Sequence, residues 1–472
     1  MKQAQIGLIG LAVMGANLAR NIASKGFDIV VYNRTAEKTQ AFIKEYGNEH
    51  LSGELQDLAT FVASIESPRK IIIMVQAGKP VDAVIEDLLP YLEKDDCIID
   101  CGNSYYRDTI RRETYLAPKG IRFMGCGVSG GEEGALNGPS IMPGGSVADY
   151  VKLSPIFSAI AARDFNGSAC VTHIGVGASG HFVKMVHNGI EYAVMQIMAE
   201  AYDTLRKLYN LSAPEIADIF ETYSQGKLGS YLFDISLKVL RKEDEFQDGG
   251  SLVDYILDRA GQKGTGKWTA IDALERNVCV PTIAEAVFAR NISASKKLRG
   301  ELAPTFTKVS AKNLPPLSEF IPLLENGLYA SILSAYAQGY DLIIQASTTE
   351  GWDVNLAEIS RIWEGGCIIR AEILSFLHQA FLDAPAGVSH LFAIPEVMNA
   401  FQTTISDWHK VTSIIIEHGI AVPTITSSLS YFESITDDKH PANYLQGLRD
   451  FFGAHTYERT DREGTFHTQW SE

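Results

Sequence analysis

The chain has 472 residues, 46% of them hydrophobic and 21% charged, which is enough for roughly two or three domains with sizeable cores. Lys and Arg total 41 against 57 Asp and Glu, and the resulting net charge of −16 argues against nucleic acid or an anionic membrane as a partner. An anionic ligand must therefore be held by a local basic cluster that works against the overall field.

The six cysteines form no C-x-x-C and have no histidine at zinc spacing, so a reducing compartment is expected and no metal site. No apolar run reaches the roughly 18 residues of a membrane span. The amino terminus lacks the basic leader and unbroken apolar core of a signal peptide. The expected location is the cytoplasm.

Gln5–Gly10 reads as a short apolar strand, followed by Leu11-Ala12-Val13-Met14-Gly15 and a helical run from Asn17. A strand, tight turn and helix start of this kind bind a pyrophosphate on free backbone N–H groups and the positive end of a helix dipole. Ala12 stands where the second glycine of the usual fingerprint sits. A second strand, Ile29–Tyr32, ends in Asn33-Arg34-Thr35. An acidic residue there would hold the ribose 2′-hydroxyl of NAD; Arg34 suits the 2′-phosphate of NADP. Buried strands at Ile71–Val75 and Ile98–Asp100 alternate with helices, which gives a doubly wound, mostly parallel sheet. Their carboxyl ends, Val75-Gln76-Ala77 and Gly102-Asn103, point at the ligand crevice, where Asn103 is placed to touch nicotinamide and substrate. Gly125–Ala135 carries so many glycines that a loop pressed against a ligand is expected, with Ser129 and the N–H groups of Gly130 and Gly131 on substrate oxygens.

From Gly180 long helical patterns take over. Lys184, His187, Asn188 and Glu191 share one helix face, while Phe182, Val186, Ile190, Ala193 and Ile197 form the opposite apolar stripe. A faint echo suggests a duplicated helical bundle: Asn188-Gly189 and Asn326-Gly327 are each followed by a Tyr-Asp pair at the same offset. The second copy has Pro322, Glu325 and Tyr329 near the positions of Lys184, His187 and Glu191. Gly261–Trp268 matches G-x-x-x-x-G-K, but Trp268 replaces the magnesium-binding Ser/Thr and an apparent helix, Leu252–Ala260, precedes it; ATP binding is rejected. Lys263 and the loop N–H groups still suit a single phosphate. Arg290 follows an apolar helical stretch. The end of the chain, Asn443–Tyr457 with Phe466–Trp470, is aromatic enough to require packing, on another subunit or on the tail's own domain.

The five segments Gly10–Gly15, Val128–Ala135, Lys184–Tyr192, Lys263–Trp268 and Arg449–Tyr457 together resemble the decarboxylating 6-phosphogluconate dehydrogenases over essentially the whole chain. The resemblance implies an NADP-binding Rossmann domain over residues 1–178, a large all-α domain over 179–440, and an extended carboxyl-terminal tail over 441–472. It also implies a homodimer in which the tail enters the partner's active site. The reaction it implies converts 6-phosphogluconate to ribulose 5-phosphate and carbon dioxide, as a step of the pentose phosphate pathway. Lys184 would act as base and Glu191 as acid. His187 and Asn188 would orient the sugar, and Tyr192, Lys263, Arg290 and Arg449 would hold its phosphate, with His455 added from the tail. Gln76 departs from the lysine of many relatives. The competing readings are a smaller β-hydroxyacid dehydrogenase, which has no need of residues 263, 290 and 449, and a non-catalytic NADP-binding sensor, which has no need of Lys184 and Glu191.

Overall fold

The computed structural model describes residues 3–246, 249–307, 313–385 and 387–470. Strands and helices alternate in its first part: β1 (Ile6–Ile9), α1 (Val13–Ser24), β2 (Ile29–Tyr32), α2 (Ala36–Tyr46), β3 (Leu51–Gly53), α3 (Leu58–Ala63), β4 (Lys70–Ile73) and α4 (Lys79–Leu88). β5 (Cys97–Asp100), α5 (Tyr106–Leu116), β6 (Arg122–Ser129), α6 (Gly131–Asn137), β7 (Ser140–Pro143) and α7 (Val147–Ile160) complete it. The sheet order is β3-β2-β1-β4-β5-β6-β7, parallel throughout except for the antiparallel β6–β7 pair.

Successive side chains of a strand point to opposite faces. Ile6, Leu8, Val31, Ile72 and Ile99 therefore pack with Leu18 and Ile22 of α1 and Phe157 of α7. Ile9, Val30, Ile71, Ile73 and Ile98 pack on the other side with Phe61 of α3, Ile85 of α4 and Leu116 of α5. Burial on both faces is why these strands read as unbroken Ile/Val runs. β4 stops at Ile73, two residues short of the expected Val75, because its partner β1 ends at Ile9 and Gly10 turns away with φ of 104°.

The second part is helical: α8 (Ser179–Tyr209), α9 (Ala213–Ser224), α10 (Tyr231–Arg241), α11 (Thr265–Glu275), α12 (Pro281–Ala294), α13 (Lys296–Leu302), α14 (Leu317–Glu350), α15 (Leu356–Trp363), α16 (Glu372–Asp383), α17 (Pro395–Glu417) and α18 (Pro423–Ile435). The segment Leu252–Ala260, read as a helix, forms a single 3-10 turn at Leu252–Asp254 and then an irregular exposed stretch. The apolar stripe of α8 is fully buried against α14. A Cβ on Gly339 of α14 would fall 2.5 Å from Ile190, so glycine sets how closely the two long helices approach. Each long helix also caps a shorter one. Glu200 of α8 accepts the Thr424 and Ile425 N–H groups at the start of α18, both at 3.0 Å, and Gln338 of α14 accepts the Thr282 N–H at the start of α12 at 2.9 Å. Burial pushes the Glu200 carboxyl up to about 7 against the pull of those donors.

The chain closes with α19 (Ala442–Gly453) and a two-stranded hairpin, β8 (Tyr457–Glu458) and β9 (Thr465–Phe466). Buried Asp450 organises this tail by accepting from the Thr456 and Thr468 N–H groups, His467 Nδ1 and Trp470 Nε1 at 2.8 to 3.0 Å. Burial would raise its carboxyl, but these donors bring it down to about 2. Among the described residues no helix is long and apolar enough to cross a membrane.

Candidate active site

The crevice begins where β1 turns into α1. A Cβ on Gly10 would lie 2.4 Å from the Met74 carbonyl oxygen, and one on Gly15 would lie 2.0 Å from the Gly10 carbonyl oxygen; neither position admits a larger residue. Ala12 has φ of −75° and ψ of 175°, extended backbone that any residue adopts, so the turn itself does not require a glycine there. The helix starts at Val13, four residues before the expected Asn17, and no side chain caps it, which leaves its first N–H groups for an anion. Leu11 and Met14 lie partly buried along this turn. Asn33 Oδ1 accepts the Leu11 N–H at 3.2 Å and its amide donates to the Thr35 carbonyl at 3.3 Å, tying the two strand ends together. Arg34 is exposed beside them, and its side chain has no partner among the described residues. These residues fit the pyrophosphate and 2′-phosphate of a dinucleotide.

The next two strand ends are joined by a network that sequence reasoning missed. The Val75 side chain packs beside Gly10, while Gln76 and Asn103 are exposed and Ala77 half-buried. Buried Arg112 donates to the Gly78 carbonyl (3.0 Å), Asp82 (2.8 Å) and Asp100 (3.2 Å), while Asp100 accepts the Gly102 N–H (3.0 Å) and the Ser104 hydroxyl (2.6 Å). One guanidinium thus holds both crevice loops, and residues twelve positions apart give no local signal of it.

Residues 125–135 correct the expectation of a loop. Strand β6 runs through Ser129 and α6 starts at Gly131. A Cβ on Gly125 would meet His181 at 2.7 Å, and one on Gly127 would meet the Lys184 Cβ at 2.5 Å. These two glycines admit α8, not a ligand, against the sheet. Gly130 and Gly131 have φ of 120° and 64°, and a Cβ on Gly130 would strike the Gly366 carbonyl oxygen at 2.6 Å.

That close approach brings the polar face of α8 over Ser129. Lys184 Nζ lies 3.0 Å from Ser129 Oγ, 2.8 Å from Asn188 Oδ1 and 3.3 Å from His187 Nδ1. His187 Nε2 is 3.3 Å from Ser129 Oγ, and its Nδ1 is 4.0 Å from Glu191 Oε2. The Asn188 amide donates to Thr265 Oγ1 at 3.2 Å; Thr265, at the start of α11, was not singled out from the sequence. Lys184 is only 6% exposed. Burial lowers the Lys184 pKa, although Glu191 and Cys367 oppose the shift. Burial raises the Glu191 pKa against the opposing charges of Lys184 and Arg290. His187 is pushed well below its ordinary value by burial and then by Lys184, so it is a neutral hydrogen-bonding group. Burial thus favours an uncharged amine and an uncharged carboxyl on one face of one helix.

One turn further on, the Tyr192 hydroxyl accepts the Lys263 N–H at 3.4 Å, and the Arg290 guanidinium stacks 3.4 Å from the centre of the Tyr192 ring. Arg290 also donates to the Gly261 carbonyl at 3.1 Å. Of the basic residues expected to hold an anion, Arg290 and the Lys263 backbone thus meet at Tyr192. Arg449 and His455 lie elsewhere within the single chain: Arg449 donates to Gln446 at 3.0 Å, the His455 ring packs on Phe452, and both are exposed. Among the described residues no three His, Cys, Asp or Glu side chains converge as a metal site.

Comparison with known proteins gives one answer over both halves. Residues 5–175 match the NAD binding domain of 6-phosphogluconate dehydrogenase, and residues 180–470 match its C-terminal domain. The decarboxylating 6-phosphogluconate dehydrogenase of Synechococcus elongatus is 49% identical over 99% of both chains. The NADP(+)-dependent decarboxylating enzyme of Bacillus subtilis is 46% identical over 100% of both. A solved structure of the Plasmodium falciparum enzyme, described as apo, with NADP+ and with 6-phosphogluconate, superposes with a TM-score of 0.95 at 41% identity, covering 99% of this chain and 100% of that one. The chain belongs to the 6-phosphogluconate dehydrogenase family.

Proposed function

We propose that this chain oxidises 6-phospho-D-gluconate at C3 and releases carbon dioxide to give D-ribulose 5-phosphate, with NADP+ as acceptor. The observation that carries the reading is the buried face of α8, where Lys184, Ser129, His187, Asn188 and Glu191 converge beside Tyr192, Lys263 and Arg290. Bound NADP+ would supply the hydride acceptor for C3; the N–H groups of residues 10–15 would hold its pyrophosphate, Arg34 with Asn33 and Thr35 its 2′-phosphate, and residues 75–77 and Asn103 would contact the rest of it.

Lys184, favoured as a neutral amine by burial, removes the proton of the C3 hydroxyl. The C3 ketone makes the sugar acid a β-keto acid, so the C1–C2 bond breaks with its electrons moving to the C3 oxygen. Lys184, now protonated, stabilises that oxygen. Glu191, whose protonated form burial favours, returns a proton to the carbon that becomes C1 of the product. Ser129, the N–H groups of Gly130 and Gly131, His187, Asn188 and Asn103 orient the hydroxyls and carboxylate, while Tyr192, Lys263 and Arg290 bind the phosphate. With 6-phosphogluconate, NADPH absorbance and evolved carbon dioxide should rise one for one. NAD+ should serve poorly, and Arg34→Asp should narrow that preference; NADPH without carbon dioxide would refute the reading.

We also propose that the chain is a homodimer whose tail completes the partner's site with Arg449 and His455. Two surfaces support this: Tyr444 and Phe452 of α19 are each 73% exposed, and an open apolar groove of about 1020 Å³ runs between α11, α12 and α18. Co-expressed Lys184→Met and Arg449→Ala chains, each inactive alone, should regain activity in mixed dimers. A site served by its own tail would stay inactive. The crossed helix caps, with Val-Pro-Thr-Ile at 280–283 and again at 422–425, support a duplicated helical domain between residues 179 and 440. A common offset of 138 residues separates Asn188 from Asn326 and Glu200 from Gln338. All six cysteines are free thiols, which supports a cytoplasmic location.

A further inference from the structure

Helix α11 touches both halves of the reaction centre. At its start, Thr265 receives the Asn188 amide at 3.2 Å, and Lys263 just before it is bonded to the Tyr192 hydroxyl. One turn on, Trp268 reaches the first part of the chain: its ring centre lies 5.1 Å from that of Tyr105, tilted by 33°. Tyr105 is the residue that joins the Asn103 loop to α5. Further along, Asp272 accepts the Tyr106 hydroxyl at 2.6 Å and Arg276 Nε at 2.8 Å, and Arg276 also donates to the Tyr106 hydroxyl at 3.1 Å. Asp272 and Tyr106 are buried, so this end of the α5–α11 contact is a fixed anchor.

The Trp268 end is different. It follows the irregular stretch 255–264, which is exposed almost throughout, and Gly264 has φ of 98°. That stretch has few buried contacts and sits at the low-stability end of the fold, whereas Thr265 and Thr269 in the first turns of α11 are buried. Two half-buried rings thus join the end of the Asn103 loop to the first turn of α11, apart from the Asp272–Tyr106 anchor.

We infer that the Tyr105–Trp268 contact couples the two ligands: nicotinamide seated on the Asn103 loop presses Tyr105 on Trp268 and sets the position of the α11 start, which grips the sugar phosphate. Tyr105 and Trp268 are positioning residues, since they act through Thr265 and Lys263. The inference rests on the functional reading above. By linkage, sugar phosphate binding tightens or loosens dinucleotide binding by the same factor.

The test is calorimetric binding of 6-phosphogluconate to the full chain, alone and saturated with NADPH, a pair that does not turn over. In the wild type the two dissociation constants should differ by about fivefold or more. In Tyr105→Leu, and independently in Trp268→Phe should the first variant not fold, the ratio should fall to within about twofold of one, with NADPH affinity changed by less than about threefold. A variant that keeps the wild-type ratio, or a wild type with a ratio near one, overturns the inference alone. A wild type that binds no 6-phosphogluconate overturns the functional reading and the inference with it.

Discussion

Lys184→Met should lower kcat by at least about 10²-fold while NADP+ affinity, measured by calorimetry, stays within about threefold. The methionine side chain fills the same buried volume, so helix packing survives, but it offers no lone pair to the C3 hydroxyl and no cation to the oxygen that gains charge on decarboxylation. The wild-type amine is poised by its surroundings. Burial disfavours its charged form, and three hydrogen-bond partners fix Nζ above Ser129. Lys184 needs to lose its proton to act as a base and Glu191 needs to keep its own, so activity should trace a bell whose two limbs belong to the pair; the lowered Lys184 and the raised Glu191 bring those limbs inside the ordinary values of 4.5 and 10.5. Near-normal turnover in the methionine variant would remove Lys184 from the chemistry.

Glu191→Gln should lower steady-state turnover by about 10²- to 10³-fold by a different route. Glutamine matches the shape of the carboxylic acid but holds no acidic proton. Because the proton is returned only after the hydride has left C3, the first turnover should still reduce the cofactor. Stopped-flow absorbance should show a burst of NADPH followed by a slow steady state. Loss of the burst would mean that Glu191 acts before oxidation, through its 4.0 Å approach to His187 or its effect on the charge of Lys184.

The parts of this site that the sequence displays are those whose chemistry is local. Lys184, His187, Asn188 and Glu191 lie within eight positions of one helix, so their common face follows from the 3.6-residue repeat alone. The turn at Gly10–Gly15 is equally local, and Arg34 is placed by the length of the strand before it. The misreadings have tertiary causes. Gly125 and Gly127 look like a loop because glycine is poor in strands, yet each is needed where α8 lies flat against β6. The start of α1 was missed because Val13 and Gly15 are weak helix formers; there Gly15 is required by the Gly10 carbonyl at its back. Leu252–Ala260 has apolar residues at helical spacing but leaves Tyr255, Ile256 and Leu257 exposed, so nothing in the single chain holds them in a helix. The Asp100–Arg112 clamp and Thr265 join segments far apart in the chain, and no period or motif announces them.

The central claim is that a fixed acid on α8 hands its proton to one face of the enediol before the sugar phosphate escapes. Turnover of 6-phosphogluconate in deuterium oxide, followed by magnetic resonance of the ribulose 5-phosphate, tests it most directly. One deuteron in a single configuration at C1 is the expected result. An equal mixture of both configurations would show that water protonates a released enediol, and would contradict the role given to Glu191.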